Sequence, residues 1–152
     1  MKLEQAIQST KFKSEVQKAG LNILYTAWWL KTIMSKEFKE YGLTHEQYNV
    51  LRILKGSYPD LICVRAVASR MIERSSNVPR IIDRLELKKL VKRSTSTEDK
   101  RETIITITQA GINILGLCTA RINKLYEEII SLDEGSASKL NNLLEQIRIK
   151  EK

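Results

Sequence analysis

Ser76, Asn77, Arg80, Arg84 and Lys88 follow one another at steps of one, three or four residues, and Asp99, Lys100 and Arg101 lie shortly beyond them. These side chains supply a hydroxyl, a carboxamide, two guanidinium groups and an ammonium, then a carboxylate beside two more cations. A guanidinium can donate in a fork to the major-groove edge of guanine, and a carboxamide can pair with the edge of adenine. Hydroxyls at a helix N-terminus suit phosphate. Nothing comparable points to catalysis. The chain has no nucleophile elbow, no phosphate-binding P-loop and no paired carboxylates on an apolar background, and its single histidine, His45, falls just after a helix-start signal. The expectation is a binding protein, not an enzyme, with no cofactor and no metal.

For the first group of side chains to share a face they must stand on a helix, and the apolar residues between them supply one. Val78, Ile81, Ile82 and Leu85 follow the i, i+3, i+4, i+7 pattern, which places the polar set on the opposite side. Ser76 reads as the N-cap, which puts Pro79 at the third helical position, where its missing N–H costs little. A short helix carrying Val64, Val67, Ala68, Met71 and Ile72 precedes it, and the polar turn Glu73–Ser76 separates the two, as in a helix-turn-helix. Upstream, Val16, Ile23, Ala27, Leu30, Met34 and Phe38 mark a long amphipathic helix over about 11–39, closed by Tyr41-Gly42. Thr44 with Gln47 forms a capping box that starts another helix, which buries Val50, Leu51 and Leu54. Gly56 to Asp60 reads as a turn, and Leu61 to Val64 as a short strand.

Downstream, Leu90 to Ser94 can pair with Thr103 to Thr108 across the charged tip, forming a β-hairpin whose return strand turns Ile105 and Ile107 to the core. Thr108 caps a helix carrying Ile112, Leu115, Ile122, Leu125, Ile129 and Ile130. Asp133 starts a last helix with Leu140, Leu143, Leu144 and Ile147 as its apolar seam.

At 152 residues the chain is most simply one domain. Its 26 basic against 18 acidic residues leave a net charge of +8. Residues 65 to 101 alone hold 11 Lys or Arg and 5 Asp or Glu, or +6 of that surplus. Such a balance favours a polyanionic partner, although charge alone is equally compatible with a solvated basic face. No apolar run approaches the ~18 residues of a membrane span. The opening MKLEQAIQSTKFK lacks the apolar core of a secretion signal, so no membrane association and a cytoplasmic location are expected. Cys63 and Cys118 lack metal or redox spacing and read as buried thiols.

Val78-Pro79-Arg80-Ile81-Ile82-Asp83-Arg84-Leu85, Leu90-Val91-Lys92-Arg93, Asp99-Lys100-Arg101 and Ile107-Thr108-Gln109-Ala110-Gly111 together resemble the signature of MarR-type winged-helix transcriptional regulators. The resemblance implies a mainly α fold with a small β-hairpin wing: one domain over 1–152, with a winged helix-turn-helix lobe over about 43–108 and dimerisation helices over about 11–39 and 109–150. It further implies a homodimer that binds double-stranded DNA as a repressor responsive to a small aromatic or phenolic effector. The recognition helix would enter the major groove while the wing reaches the minor groove. By this resemblance Asp99 orients Arg101, and Arg101 probes the minor groove. The candidate DNA-facing set is Arg65, Ser75, Ser76, Asn77, Arg80, Arg84, Lys88, Asp99, Lys100 and Arg101.

Two positions depart from the family pattern. Lys89 stands where glycine is usual, so either the turn differs or Lys89 holds a positive φ, and Pro79 removes a hydroxyl common in relatives. The adjacent Trp28 and Trp29 lie about 100° apart on a helix. One is expected in the core or dimer seam, and the other is a candidate for lining an effector pocket. The competing function is a winged-helix protein-interaction module. Such a module should present aromatic or aliphatic anchors on the recognition face, where this chain has arginine and asparagine.

Overall fold

The computed structural model describes residues 1–149. In chain order the elements are α1 (Leu3–Ala6), α2 (Glu15–Glu40), α3 (His45–Ser57), β1 (Ile62–Cys63), α4 (Val64–Ser69), α5 (Val78–Leu87), β2 (Val91–Thr95), β3 (Thr103–Ile107), α6 (Gln109–Ile129) and α7 (Glu134–Ile147). The chain falls into two compact units, Met1–Thr119 and the segment from Ala120 onward.

The first unit is a helical lobe with an antiparallel sheet of order β1-β3-β2. Its core gathers Phe38 from α2, Val50, Leu51 and Leu54 from α3, Val67 from α4, Val78, Ile82 and Leu85 from α5, and Val91 and Ile105 from the sheet, all buried. Phe38 stacks with Tyr48 at 4.7 Å between ring centroids and meets His45 edge-on at 5.4 Å, so the lone histidine is a packing residue. Burial pushes its imidazole pKa below the usual value. The capping box at the start of α3 forms as expected: the Thr44 hydroxyl accepts from Gln47 N, and Gln47 Oε1 accepts from Thr44 N, both at 3.2 Å.

Several boundaries shift from the expectation, each for a local reason. The long helix begins at Glu15 rather than near Lys11, because Ser14 caps it by accepting from Gln17 N. Gly56 and Ser57 stay helical, with the Ser57 hydroxyl donating back to the Ile53 carbonyl. Strand β1 is only two residues, and Val64 already starts α4. Asn77, not Ser76, caps α5: its Oδ1 accepts from Arg80 N at 3.2 Å, which moves Pro79 to the second helical position. In β3 the buried residues are Ile104 and Ile105, while Ile107 is half-exposed. Alternation foresees one covered face, but β3 is the central strand, paired with β1 at Ile62↔Ile105 and Cys63↔Ile104 and with β2 from Val91↔Ile107 to Thr95↔Thr103. Ile72 is exposed, and so is Val16 near the start of α2.

The second unit holds the end of α6, where Ile122 and Leu125 are buried, and α7, capped by Asp133 accepting from Ser136 N at 2.8 Å. The expected seam of α7 exists as a stripe, yet Leu140, Leu143 and Ile147 are exposed and no residue of α7 is buried. The expected dimerisation segment 109–150 and the domain end at 152 run past the described residues.

The exit from α5 fixes the start of the wing. Lys89 N donates to Glu86 O at 2.8 Å and Leu90 N to Leu85 O at 3.0 Å, the paired bonds of a Schellman closure. That closure needs a left-handed residue, and Lys89 takes the role with φ 59°. The positive φ foreseen as one alternative is therefore present. A non-glycine residue in this region costs on the order of 1 kcal/mol. Lys89→Gly should accordingly stabilise the fold by about 1 kcal/mol. Urea denaturation measures it, and a loss of stability on that substitution would contradict the strained turn.

Candidate nucleic-acid interface

Helix α5 inserts Val78, Ile82 and Leu85 into the core and leaves Arg80 and Arg84 exposed. Ser75, Ser76, Asn77, Arg80 and Arg84 converge on one cleft of about 350 Å³, whose other wall is Thr44, Glu46 and Gln47 from the start of α3 with Glu73 from the turn. Five of the expected residues are thereby brought together. Two carry qualifications. The Asn77 carbonyl oxygen is committed to capping, so its amide nitrogen is the part left to face outward. The Ser76 hydroxyl is buried and has no partner.

Lys88 is exposed as well, and its side chain is already engaged. Its ammonium donates to the Gly42 carbonyl and, at 3.0 Å, to Gln47 Oε1, which ties the end of α5 to the corner between α2 and α3. It is the C-cap of the helix, and its side chain reaches back to the lobe while the residue stays exposed.

At the wing tip, Glu98 N and Asp99 N both donate to the Ser96 hydroxyl at 3.2 Å, and Glu102 N donates to Asp99 O at 2.9 Å. Within this turn Asp99 Oδ1 accepts from Arg101 N at 3.0 Å and from Arg101 Nε at 3.2 Å, and Oδ2 accepts from a terminal guanidinium nitrogen at 3.3 Å. The Arg101 side chain is 91% exposed although it is held at two points. These bonds, the side-chain ones first, keep the Asp99 carboxyl below its ordinary pKa, so the clasp stands at neutral pH and is lost only as acid protonates the carboxylate. Arg65 on α4 donates to Glu102 Oε1 at 3.1 Å, which puts its guanidinium beside the wing base. Lys100 is exposed at the tip.

The sequence reading missed two charged contacts. Arg93 of β2 reaches across to α5, pairing with Asp83 and with Glu86. Lys31 of α2 is bonded to Glu73 and lies 3.8 Å from Glu46. The signal for the first was present: two acids three residues apart on an otherwise basic helix. The second carried no local signal, since its partners lie far away in sequence.

The expected effector residues are not interior. Trp28 is 60% exposed and tilts against Tyr25 with ring centroids 5.5 Å apart. Trp29, on another side of α2, lines a recess of about 300 Å³ with Met1, Leu3, Asn22, Tyr25 and Thr26. Neither packs in the core of the chain. Cys118 is fully buried, and burial pushes its thiol up to about 11; Cys63 is half-buried. Among the described residues no helix is long and apolar enough to cross a membrane, and no group of three or more His, Cys, Asp or Glu side chains could hold a metal ion.

Residues 43–103 match the model of the MarR family. The HTH-type transcriptional regulator MgrA of Staphylococcus aureus is 30% identical over 113 residues, covering 74% of this chain and 75% of that protein. The HTH-type transcriptional regulator MhqR of Bacillus subtilis (strain 168) is 26% identical over 122 residues, covering 78% and 81%. Among solved structures, the S. aureus MepR–DNA complex superposes with a TM-score of 0.78 at 20% identity, covering 92% of this chain and 99% of that one. The organohalide-sensing regulator RdhR with 2,4-dichlorophenol bound gives 0.81 at 17% identity, covering 91% and 82%. The mainly helical lobe with a small antiparallel sheet is thus a shared winged-helix architecture.

The contrast between Lys88 and Arg84 can be measured without a ligand. Lys88→Met removes two internal hydrogen bonds and should lower stability by about 1 to 2 kcal/mol. Arg84→Met, at an exposed position, should stay within about 0.5 kcal/mol of the parent. Equal effects of the two substitutions in urea denaturation would refute the internal role of Lys88.

Proposed function

We propose, because the chain belongs to the MarR family of transcriptional regulators, that it is a sequence-specific binder of double-stranded DNA acting in the cytoplasm as a homodimeric, ligand-responsive repressor. One observation carries this reading. Arg80 and Arg84 project from a helix whose opposite face is anchored in the core, and the same lobe extends a hairpin with Arg101 clasped by Asp99 at its tip. A rigid helix with outward guanidinium groups fits the major groove. A restrained arginine on a narrow ribbon fits the minor groove, whose negative potential attracts it. Ser75 and Asn77 at the helix start, with Lys100 and Arg65 around the wing, would contact the phosphate backbone.

Residues 43–108 form the DNA-binding lobe in this reading, and 11–39 with 109–150 the dimerisation helices. The exposed apolar residues Val16 and Leu24 on α2 and Leu140, Leu143 and Ile147 on α7 support it, since a second copy would remove them from water. Two lobes related by a twofold axis would address half-sites about one helical turn, roughly 34 Å, apart. The recess at Trp29, with Trp28 beside it, would accept a small aromatic effector whose binding alters that spacing. The bound DNA in the MepR structure and the bound 2,4-dichlorophenol in the RdhR structure make both ligand classes reasonable for a chain of this fold.

Binding to duplexes selected from a random library tests the DNA reading. Arg101→Ala should weaken all of them and reduce the slope of log affinity against log salt by about one. Arg80→Ala and Arg84→Ala should instead cost about 1 to 3 kcal/mol at particular base pairs. Unchanged affinity of the Arg101 variant at physiological salt would remove the wing from the mechanism. Sedimentation equilibrium tests the assembly: a dimer is expected at micromolar concentration, and a stable monomer there would contradict the two-half-site arrangement.

A further inference from the structure

Helix α5 carries two carboxylates, Asp83 and Glu86, although it is the helix proposed to approach a polyanion. Fixed acids on such an element repel phosphate and should be disfavoured unless they do something else. Both are occupied by the same side chain. Arg93, in the middle of β2 and paired with Ile105 across the hairpin, sends its guanidinium back over α5. It pairs with Asp83, donates to Glu86 Oε2 at 3.0 Å and to the Pro79 carbonyl at 3.3 Å, while its backbone N–H donates to Glu86 Oε1 at 3.2 Å. Its side chain is 30% exposed, against 91% for Arg101.

Pro79, Asp83 and Glu86 are spaced by four and three residues, so they form one stripe along the flank of α5, about 10 Å from end to end. A point charge touching one of them would leave the wing free to swing. A planar guanidinium bonded at three heights of the stripe, with its own backbone bonded at the last, fixes both the tilt and the advance of the strand along the helix. We propose that Arg93 is the positioning residue that sets the separation between recognition helix and wing, so that Arg101 reaches the minor groove only when Arg80 and Arg84 are seated in the major groove. Arg93 touches no DNA in this arrangement, and Asp83 and Glu86 are kept on the helix to hold it. The inference rests on the DNA-binding reading above and assigns the hairpin arginine closest to α5 a role opposite to the one its charge suggests.

The sign of one substitution separates the alternatives. Asp83→Asn removes a negative charge from the DNA-facing helix, so charge alone predicts tighter binding. Loss of positioning predicts weaker binding, by roughly fivefold, the scale of coupling between contacting charged groups. The probe is a duplex recovered by wild-type protein from a random-sequence library, with affinity measured for Asp83→Asn, Arg93→Lys, Arg101→Ala and the double variants. Arg93→Lys keeps the charge and loses the fork, and is expected to weaken binding to a similar extent. In either background the penalty of Arg101→Ala should shrink several-fold, because a wing no longer held cannot deliver its arginine. Tighter or unchanged binding by Asp83→Asn, full affinity of Arg93→Lys, or an Arg101→Ala penalty that is the same in every background would overturn the proposal. Asp83 is largely exposed, so its variant carries the test even if Arg93→Lys fails a thermal-melt check of folding. If the wild-type protein recovers no sequence at all, the DNA-binding reading itself falls, a result distinct from an additive cycle.

Discussion

Three elements meet at the backbone of Leu90. Its N–H closes α5 by donating to the Leu85 carbonyl, and its own carbonyl accepts from Thr108 N at 3.0 Å, at the point where β3 gives way to α6. The Thr108 hydroxyl donates to the neighbouring Lys89 carbonyl at 2.8 Å and accepts from Gly111 N at 3.1 Å, capping α6. A Cβ at position 111 would stand 2.2 Å from the Leu90 oxygen, so α6 can approach this closely only with glycine there. Helix α5, the start of the hairpin and helix α6 therefore share a single backbone joint. The Thr-Gln-Ala-Gly run is explained by that joint rather than by any contact with a ligand.

Once the joint has set the path, cations decide the remaining freedom. The +8 surplus invites the view that every lysine and arginine of the lobe is meant for a polyanion. The structure divides them. Lys88 reaches back to Gly42 and Gln47, Arg93 lies along α5, and Lys31 spans to Glu73, while Arg80, Arg84, Lys100 and Arg101 extend outward. Exposed ion pairs add little stability individually. What they contribute is direction, because a bidentate or three-point contact selects one orientation of two packed elements among several that the apolar core would tolerate. The buried Gln47 shows the economy of the arrangement, since one amide oxygen serves both the capping box of α3 and the end of α5.

How much of this could be read without coordinates depends on the range of the forces involved. Local signals were legible: the Thr44–Gln47 box, the Asp133 cap and the Val78, Ile82 and Leu85 stripe all act within four residues or one helical period, while the Asp99–Arg101 clasp came from the family resemblance. The Asn77 cap was missed because two adjacent side chains can both cap, and the choice depends on how the preceding turn folds, with Ser76 left buried. The internal bonds of Lys88 were not legible, because periodicity cannot foresee a side chain that turns back to a partner 46 residues away. The pairing of β1 with β3 was not legible, because a two-residue strand leaves too short a pattern to show its partner about 40 residues away. On α7 and at the start of α2 the periodicity correctly marked an apolar stripe, but it could not say whether the covering surface belongs to the same chain.

Helix α2 gives the Lys31 contact an uncommon mechanical setting. It runs 26 residues without a break, and Lys31 lies about 24 Å along it from Glu15, nine residues short of Glu40. A rod of that length amplifies small rotations: a tilt of about 5° at its beginning displaces the backbone at Lys31 sideways by about 2 Å. The bond to Glu73 therefore ties the middle of α2 to the turn that precedes α5.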